Sequence, residues 1–401
     1  MDRGGLVELL RKLNKEAVLC IDMVHGQDRD SRDHGPNWMS LREQVTQFLK
    51  GQPEFEQNVM VRSGQGASSL IVTVPDRLLR RSVAETPEAA VSWLERILAT
   101  RKADGLYVLP IWGVQVMDAV RLTERVEIVR LSCLPPSAQK QALVSGHLQG
   151  TYPGFPINAM SFEAPSVALI ARTQIEPVLF DPSREPLGEF STENIPLEDI
   201  CLCLTLIGPS MPIPMMRWFQ FSDPDLQEVC LSGSSSSHLE INPHFGHMPT
   251  MLDELSVGTL VSKYLALPEP LKKRIRIALQ RLNQSMRRTE TGDKAVDLCV
   301  ALETLVGDRS PGELRWKVSL RSALLSSDKV VERVGNRRIL QKLYDTRSAL
   351  VHGGTAKDAQ QEGVEAAVKI CARVISSVVD SGHLPSDTDW NEFELQAPQS
   401  V

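Results

Sequence analysis

One stretch of this sequence holds residue types that could do acid–base chemistry on a phosphate: Leu343-Tyr344-Asp345-Thr346-Arg347-Ser348-Ala349-Leu350-Val351-His352-Gly353-Gly354. Its apolar spacing is that of a helix ending at the glycine pair. On that helix Arg347 follows Leu343 and Tyr344 by one turn and precedes Val351 by another, so it lies towards the more apolar side. A guanidinium there needs an acceptor, because an unpaired buried charge is costly. Glu303, Asp345 and a phosphate from outside are the candidates. His352 stands where the helix must stop, before Gly353-Gly354, which suit a left-handed C-cap. The negative end of the helix dipole favours its imidazolium form, a modest push towards acid behaviour near neutral pH.

Arginine and histidine together suit RNA cleavage without a metal. The arginine stabilises charge on the scissile phosphate, and the histidine exchanges a proton with the attacking 2′-hydroxyl or the leaving 5′-oxygen. Positions five apart on a helix diverge by about 140°, however. Arg347 and His352 cannot share a face of an ideal helix, whereas Ser348 and His352 can. The pair converges only if the backbone leaves the helix near Val351, or if two copies of the motif meet in a dimer. A purely structural reading stays open beside this: Arg347 bridges Glu303 to hold the helices, and His352 is a cap. Arg337, Arg338 and Lys342, on the same helix, are the residues expected to steer RNA.

The elements that must position these residues form a helical bundle over 259–385. Its helices are expected over Pro268–Arg287, Asp293–Val306, Pro311–Leu325, Val330–Val351 and Ala359–Asp380, each with an apolar stripe at helical spacing. The fourth places Val334, Leu340, Leu343, Tyr344 and Leu350 inward. Short connections favour up-and-down neighbours. Residues 1–229 read as a mixed α/β sensing or regulatory domain. Strands are expected at Ser69–Val74, Arg125–Leu131 and Ser166–Ala171, and a helix over Thr86–Thr100 with Thr86 as N-cap and Pro87 in its first turn. Asp104-Gly105, Pro153-Gly154 and Asp181-Pro182 mark reversals. Ile200–Phe221, cut by prolines, reads as buried strand or helix around a turn. Residues 230–258, with the run Ser232-Gly233-Ser234-Ser235-Ser236-Ser237, read as a linker, and 386–401 as a tail. The fold class is therefore α+β, a mixed N-terminal domain followed by a bundle.

Val300-Ala301-Leu302-Glu303-Thr304-Leu305, then Leu320-Arg321-Ser322-Ala323-Leu324-Leu325, then the Tyr344-to-Gly353 motif resemble the Apea-like branch of the HEPN superfamily over about residues 260–380. The resemblance implies a dimerising bundle whose paired Arg and His line one composite cleft. It also implies metal-independent ribonuclease activity, commonly as a toxin in abortive-infection defence against phage. The family's arginine maps to Arg347 and its histidine to His352. The polar residue after the arginine is often Asn, Asp or His in the family and is Ser348 in this chain. Glu303, Asp345 and Tyr344 would support the pair. Some members of the superfamily have lost cleavage and bind nucleotide, RNA or a partner protein, which is the alternative reading. No metal or cofactor is expected.

Bulk properties agree with a globular chain. Of 401 residues, 42% are hydrophobic and 23% charged, enough for two or three cores. The net charge of −6 hides an asymmetry: residues 259–358 carry about 20 Lys/Arg against about 11 Asp/Glu, near +9, which leaves the remainder near −15. A basic segment in an acidic chain directs attention to a polyanion. Neither a signal peptide nor an apolar run long enough to span a membrane is visible, so a cytoplasmic setting is expected. Seven scattered cysteines read mostly as small buried apolar residues. His238, His244 and His247 near Glu240 lack metal-site spacing, Gly64-Gln65-Gly66 lacks the lysine of a phosphate loop, and Arg77, Arg80 and Arg81 read as a solvated face.

Overall fold

The computed structural model describes residues 1–24, 35–56, 58–64, 66–145, 164–183, 196–208, 210–230, 234–235, 249–307, 314–351 and 361–395. The chain opens with α1 (Arg3–Val24), α2 (Gly35–Lys50), α3 (Pro53–Glu56), a hairpin of β1 (Met60–Ser63) and β2 (Gly66–Ser69), then α4 (Leu70–Ala84) and α5 (Pro87–Ala99). Next come β3 (Ala103–Trp112), β4 (Val114–Gln115), β5 (Val120–Arg121), β6 (Val126–Arg130), α6 (Ala138–Val144), β7 (Val167–Ile175) and β8 (Leu179–Phe180). There follow α7 (Leu197–Cys203), β9 (Ile213–Pro214), β10 (Arg217–Phe221), α8 (Pro224–Val229), β11 (Ser234–Ser235) and β12 (Thr250–Met251). The rest is helical: α9 (Glu254–Leu265), α10 (Glu269–Arg287), α11 (Thr291–Val306), α12 (Leu314–Ser326), α13 (Val330–Val351), α14 (Gln361–Ser381) and α15 (Asp387–Leu395). The fold is α+β, with strands in the N-terminal region and a C-terminal bundle of helices.

Contacts group the chain into two units: Met1–Val108 with Ala171–Ile195 and Arg217–Ser235, and Leu109–Ile170 with Pro196–Met216 and Ser236–Val401. In the first unit α1 buries Leu6, Leu10, Leu13 and Ala17, spaced three and four residues apart, and packs with α2 and α4. Helix α4 corrects an expectation: the β-branched run 69–74 is not a strand but, from Leu70 on, a helix. Only Ser69 is extended. Leu70, Val74, Leu78 and Leu79 then recur at helical spacing and are all buried, so tertiary packing outweighs the local preference of Val72, Thr73 and Val74. Helix α5 matches its expected bounds within a residue, with the Thr86 hydroxyl accepting from the Ala89 N–H at 3.1 Å.

Asp104-Gly105 is also not a reversal but lies inside β3. Gly105 sits opposite Phe221 in the antiparallel β3–β10 pairing, and a Cβ on it would come within 2.4 Å of the Phe219 ring. Glycine is there for close approach between strands, not for a turn. Arg77, Arg80 and Arg81 are not a solvated face either. Arg81 pairs with Asp225 and Glu228 of α8 and lies 4.9 Å over the Trp93 ring; Arg77 donates to the Glu228 carbonyl; Arg80 pairs with Asp76. The serine run read as a linker contributes β11, antiparallel to β10.

Strand β7 is buried from Val167 to Ala171 and β6 spans Val126–Arg130, both as expected. The bundle helices follow the expected periods. Ile275, Leu279 and Leu282 of α10, Leu298 and Leu302 of α11, Val318 of α12, Leu340 and Leu343 of α13, and Cys371, Val374 and Ile375 of α14 form one core. Val334 departs from the reading: it is exposed, as are Val330 and Val331, and Leu350 is at the margin, resting against Gly292. Helix α9 begins within the span read as a linker, capped by the Asp253 carboxylate on the Ser256 N–H at 2.9 Å. Helix α15, within the span read as a tail, buries Trp390 under the Arg321 guanidinium at 5.1 Å. No described helix is long and apolar enough to cross a membrane.

Candidate active site

Helix α11 presents Glu303 one turn after Cys299, and α13 presents Tyr344 and Arg347 three apart, so the two helices bring three polar side chains together. One carboxylate oxygen, Glu303 Oε1, serves both partners. It accepts from the Tyr344 hydroxyl at 3.1 Å and pairs with Arg347 Nη1 at 3.2 Å. The Arg347 guanidinium also lies 5.9 Å from the Tyr344 ring centre. Of the acceptors considered for Arg347, the chain supplies Glu303. Asp345 faces the other way and pairs with Arg315 of α12 at 2.7 Å, with both side chains more than half exposed.

Burial sets the protonation of the neighbours. It pushes the Tyr344 hydroxyl well above the usual phenol range, and the Cys299 and Glu303 side chains add to the rise. Tyr344 therefore stays a donor. Burial also pushes the Cys299 thiol up to about 12, with the Arg347 charge offsetting part of the rise, so Cys299 is no nucleophile at neutral pH. Arg347 differs from both because 33% of its side chain remains exposed. A guanidinium has five N–H donors in a planar fork, and one edge held by Glu303 leaves others able to meet a phosphate.

The remaining expected residues are distributed around α13. Ser348 is exposed. Arg338 and Lys342 are exposed and four apart, so they form one stripe. That stripe lies about 140–180° around the helix from Arg347 and does not join it. Arg337 is turned about 80° from Arg347. It stacks 5.5 Å over Trp316, and its Nε is buried with no hydrogen-bond partner among the described residues. Trp316 itself is 43% exposed. Sequence reasoning missed it, though the triplet Arg315-Trp316-Lys317 was a signal: an aromatic between two cations on a helix with a basic surface.

Helix α13 is continuous to Val351. His352, Gly353 and Gly354 lie outside the described residues, as do His238, His244 and His247. The chain matches no family model, no curated protein and no solved structure. The functional reading therefore stands on the residues themselves.

Proposed function

We propose that this chain is a metal-independent endoribonuclease resembling the Apea-like HEPN proteins, acting as a homodimer and toxic to the cell that expresses it. One observation carries the reading: Arg347 is steadied by Glu303 and Tyr344, yet a third of it is open to solvent, five residues before His352. In this mechanism Arg347 donates to a non-bridging oxygen of the scissile phosphate. His352 takes the proton of the 2′-hydroxyl or returns one to the leaving 5′-oxygen, and the product is a 2′,3′-cyclic phosphate. Because α13 runs straight to Val351, the arginine and histidine of one chain diverge unless the backbone turns after that residue. A second copy that brings its His352 to the first chain's Arg347 also closes the site. Arg337 with Trp316 lies nearer the Arg347 face than Arg338 and Lys342, which would meet RNA that wraps the helix.

A second reading has its own observation. The Glu303–Arg347 pair with the Tyr344 hydroxyl ties α11 to α13, a structural role for Arg347 that suits a non-catalytic module binding nucleotide, RNA or a protein partner. Incubating the full chain with bulk tRNA and mRNA in excess chelator separates the two. Fragments ending in 2′,3′-cyclic phosphate support the enzyme, and intact RNA with saturable binding supports the module.

A further inference from the structure

At the other end of α13 from Arg347, a cleft of roughly 510 Å³ opens between α14, the end of α12 and the turn after α7. Seventeen residues of helix separate Val330 from Arg347, about 25 Å at 1.5 Å each, so the cleft is distinct from the candidate active site. Its volume falls within the range of about 300–1,000 Å³ typical of small-molecule sites.

The lining carries two cations, two carboxylates and four serines. Lys369 and Arg373 stand four apart on the exposed face of α14 and make no ion pair with any described residue. Like charges at that spacing repel by a few tenths of a kcal/mol, and Glu332 lies close enough to Arg373 to offset part of this. One turn on, Ser376 and Ser377 are half-buried and form no hydrogen bond with a described residue. The facing wall is fixed by its own bonds. Ser326 accepts from Asn336 at 2.8 Å, and Ser327 donates to Glu332 at 2.7 Å while its oxygen caps the Lys329 N–H at 3.1 Å. Carboxylates are present too. Asp380 is taken by Lys263 at 2.8 Å, and Glu332 pairs with Lys329 at 3.2 Å, with Arg373 close enough to favour its charge. Asp328 also lines the cleft.

We infer that this cleft binds a small phosphomonoester with a hydroxylated body, a sugar or nucleoside monophosphate. Lys369 and Arg373 hold the phosphate by charge-assisted hydrogen bonds. The Ser376 and Ser377 hydroxyls and the Asp328 carboxylate take the sugar hydroxyls, and the Leu206 and Leu325 side chains give the body an apolar wall. The inference does not depend on RNA cleavage by the Arg347 site.

The test is isothermal titration of the full chain with ribose 5-phosphate, ribose and inorganic phosphate. Ribose 5-phosphate is expected to bind saturably at one site, inorganic phosphate about tenfold more weakly, and ribose not measurably. Arg373→Gln and Lys369→Gln should each weaken ribose 5-phosphate about tenfold with unchanged thermal melting, since both side chains point away from the core. Lys342→Gln should leave ribose 5-phosphate binding unchanged. No saturable binding of ribose 5-phosphate at millimolar concentration overturns the inference. So does ribose binding equally well, or affinity that survives both α14 substitutions, or loss of binding only on Lys342→Gln.

Discussion

Glu303→Gln separates a phosphate-holding Arg347 from a structural one. The substituted amide keeps an oxygen to accept from Tyr344, so only the charge facing Arg347 is lost. At 3.2 Å the two charges attract by about 1.3 kcal/mol in water. Cycles on partly exposed pairs give about 0.2–1 kcal/mol. With Arg347 33% and Glu303 21% exposed, a coupling of about 0.5–1 kcal/mol is expected. A double-mutant cycle with Arg347→Gln, followed by urea unfolding, measures it. Glu303→Leu also strands the buried Tyr344 hydroxyl and should cost about 1–3 kcal/mol more. The functional consequence runs the other way. The Glu303 charge repels a phosphate held by the other donors of Arg347, so its removal should let RNA bind about two- to fivefold more tightly to the Glu303→Gln chain. Filter binding at fixed salt reads this. RNA affinity unchanged by both Glu303→Gln and Arg347→Gln would refute the phosphate role.

Asp76 gives a pH dependence. Burial opposes its charge, but the Arg80 guanidinium at 2.8 Å and the Trp38 indole N–H at 2.8 Å hold its carboxyl below the usual range. A depressed folded value means the contribution is full above the unfolded value of about 3.9 and is lost as pH falls through the folded one. Asp76→Asn should therefore destabilise at pH 7, by about 1–3 kcal/mol in urea, with the gap closing in more acid solution. Cys133 is exposed whereas the other six cysteines are buried, so an aromatic disulfide reagent should titrate one thiol in the native chain and seven after unfolding. Gly113 has φ +81°, and a Cβ there would approach the Met211 carbonyl oxygen at 2.0 Å. Gly113→Ala should cost upwards of about 2 kcal/mol in urea unfolding.

The bundle was legible because each of its helices repeats apolar residues over several turns, as α14 does from Val364 to Val378, and that signal survives without knowledge of neighbours. Short or context-dependent pieces were not. The run 69–74 carries β-branched residues that a strand and a packed helix both accept, and only the burial of Leu78 and Leu79 further on decides for α4. Gly105 reads as a turn until Phe219 is placed beside it. Val334 sits on the apolar stripe of α13 by count, but no neighbouring helix covers it among the described residues. At the site, the need of a half-buried cation for an acceptor left Glu303, Asp345 and an outside phosphate open for Arg347, and the structure pairs it with Glu303. That Tyr344 shares the same carboxylate oxygen required the helices in place, whereas the turning of Arg338 and Lys342 away from Arg347 follows from their spacing on one helix.

Cleavage by the His352→Ala chain tests the central claim most directly. Purified chains, wild type and variant, are compared on the same RNA in excess chelator, with circular dichroism confirming that both fold alike. The account predicts that the wild type releases fragments with 2′,3′-cyclic phosphate ends and that His352→Ala is slower by about a hundredfold or more. RNA degraded by the variant at the wild-type rate would contradict it.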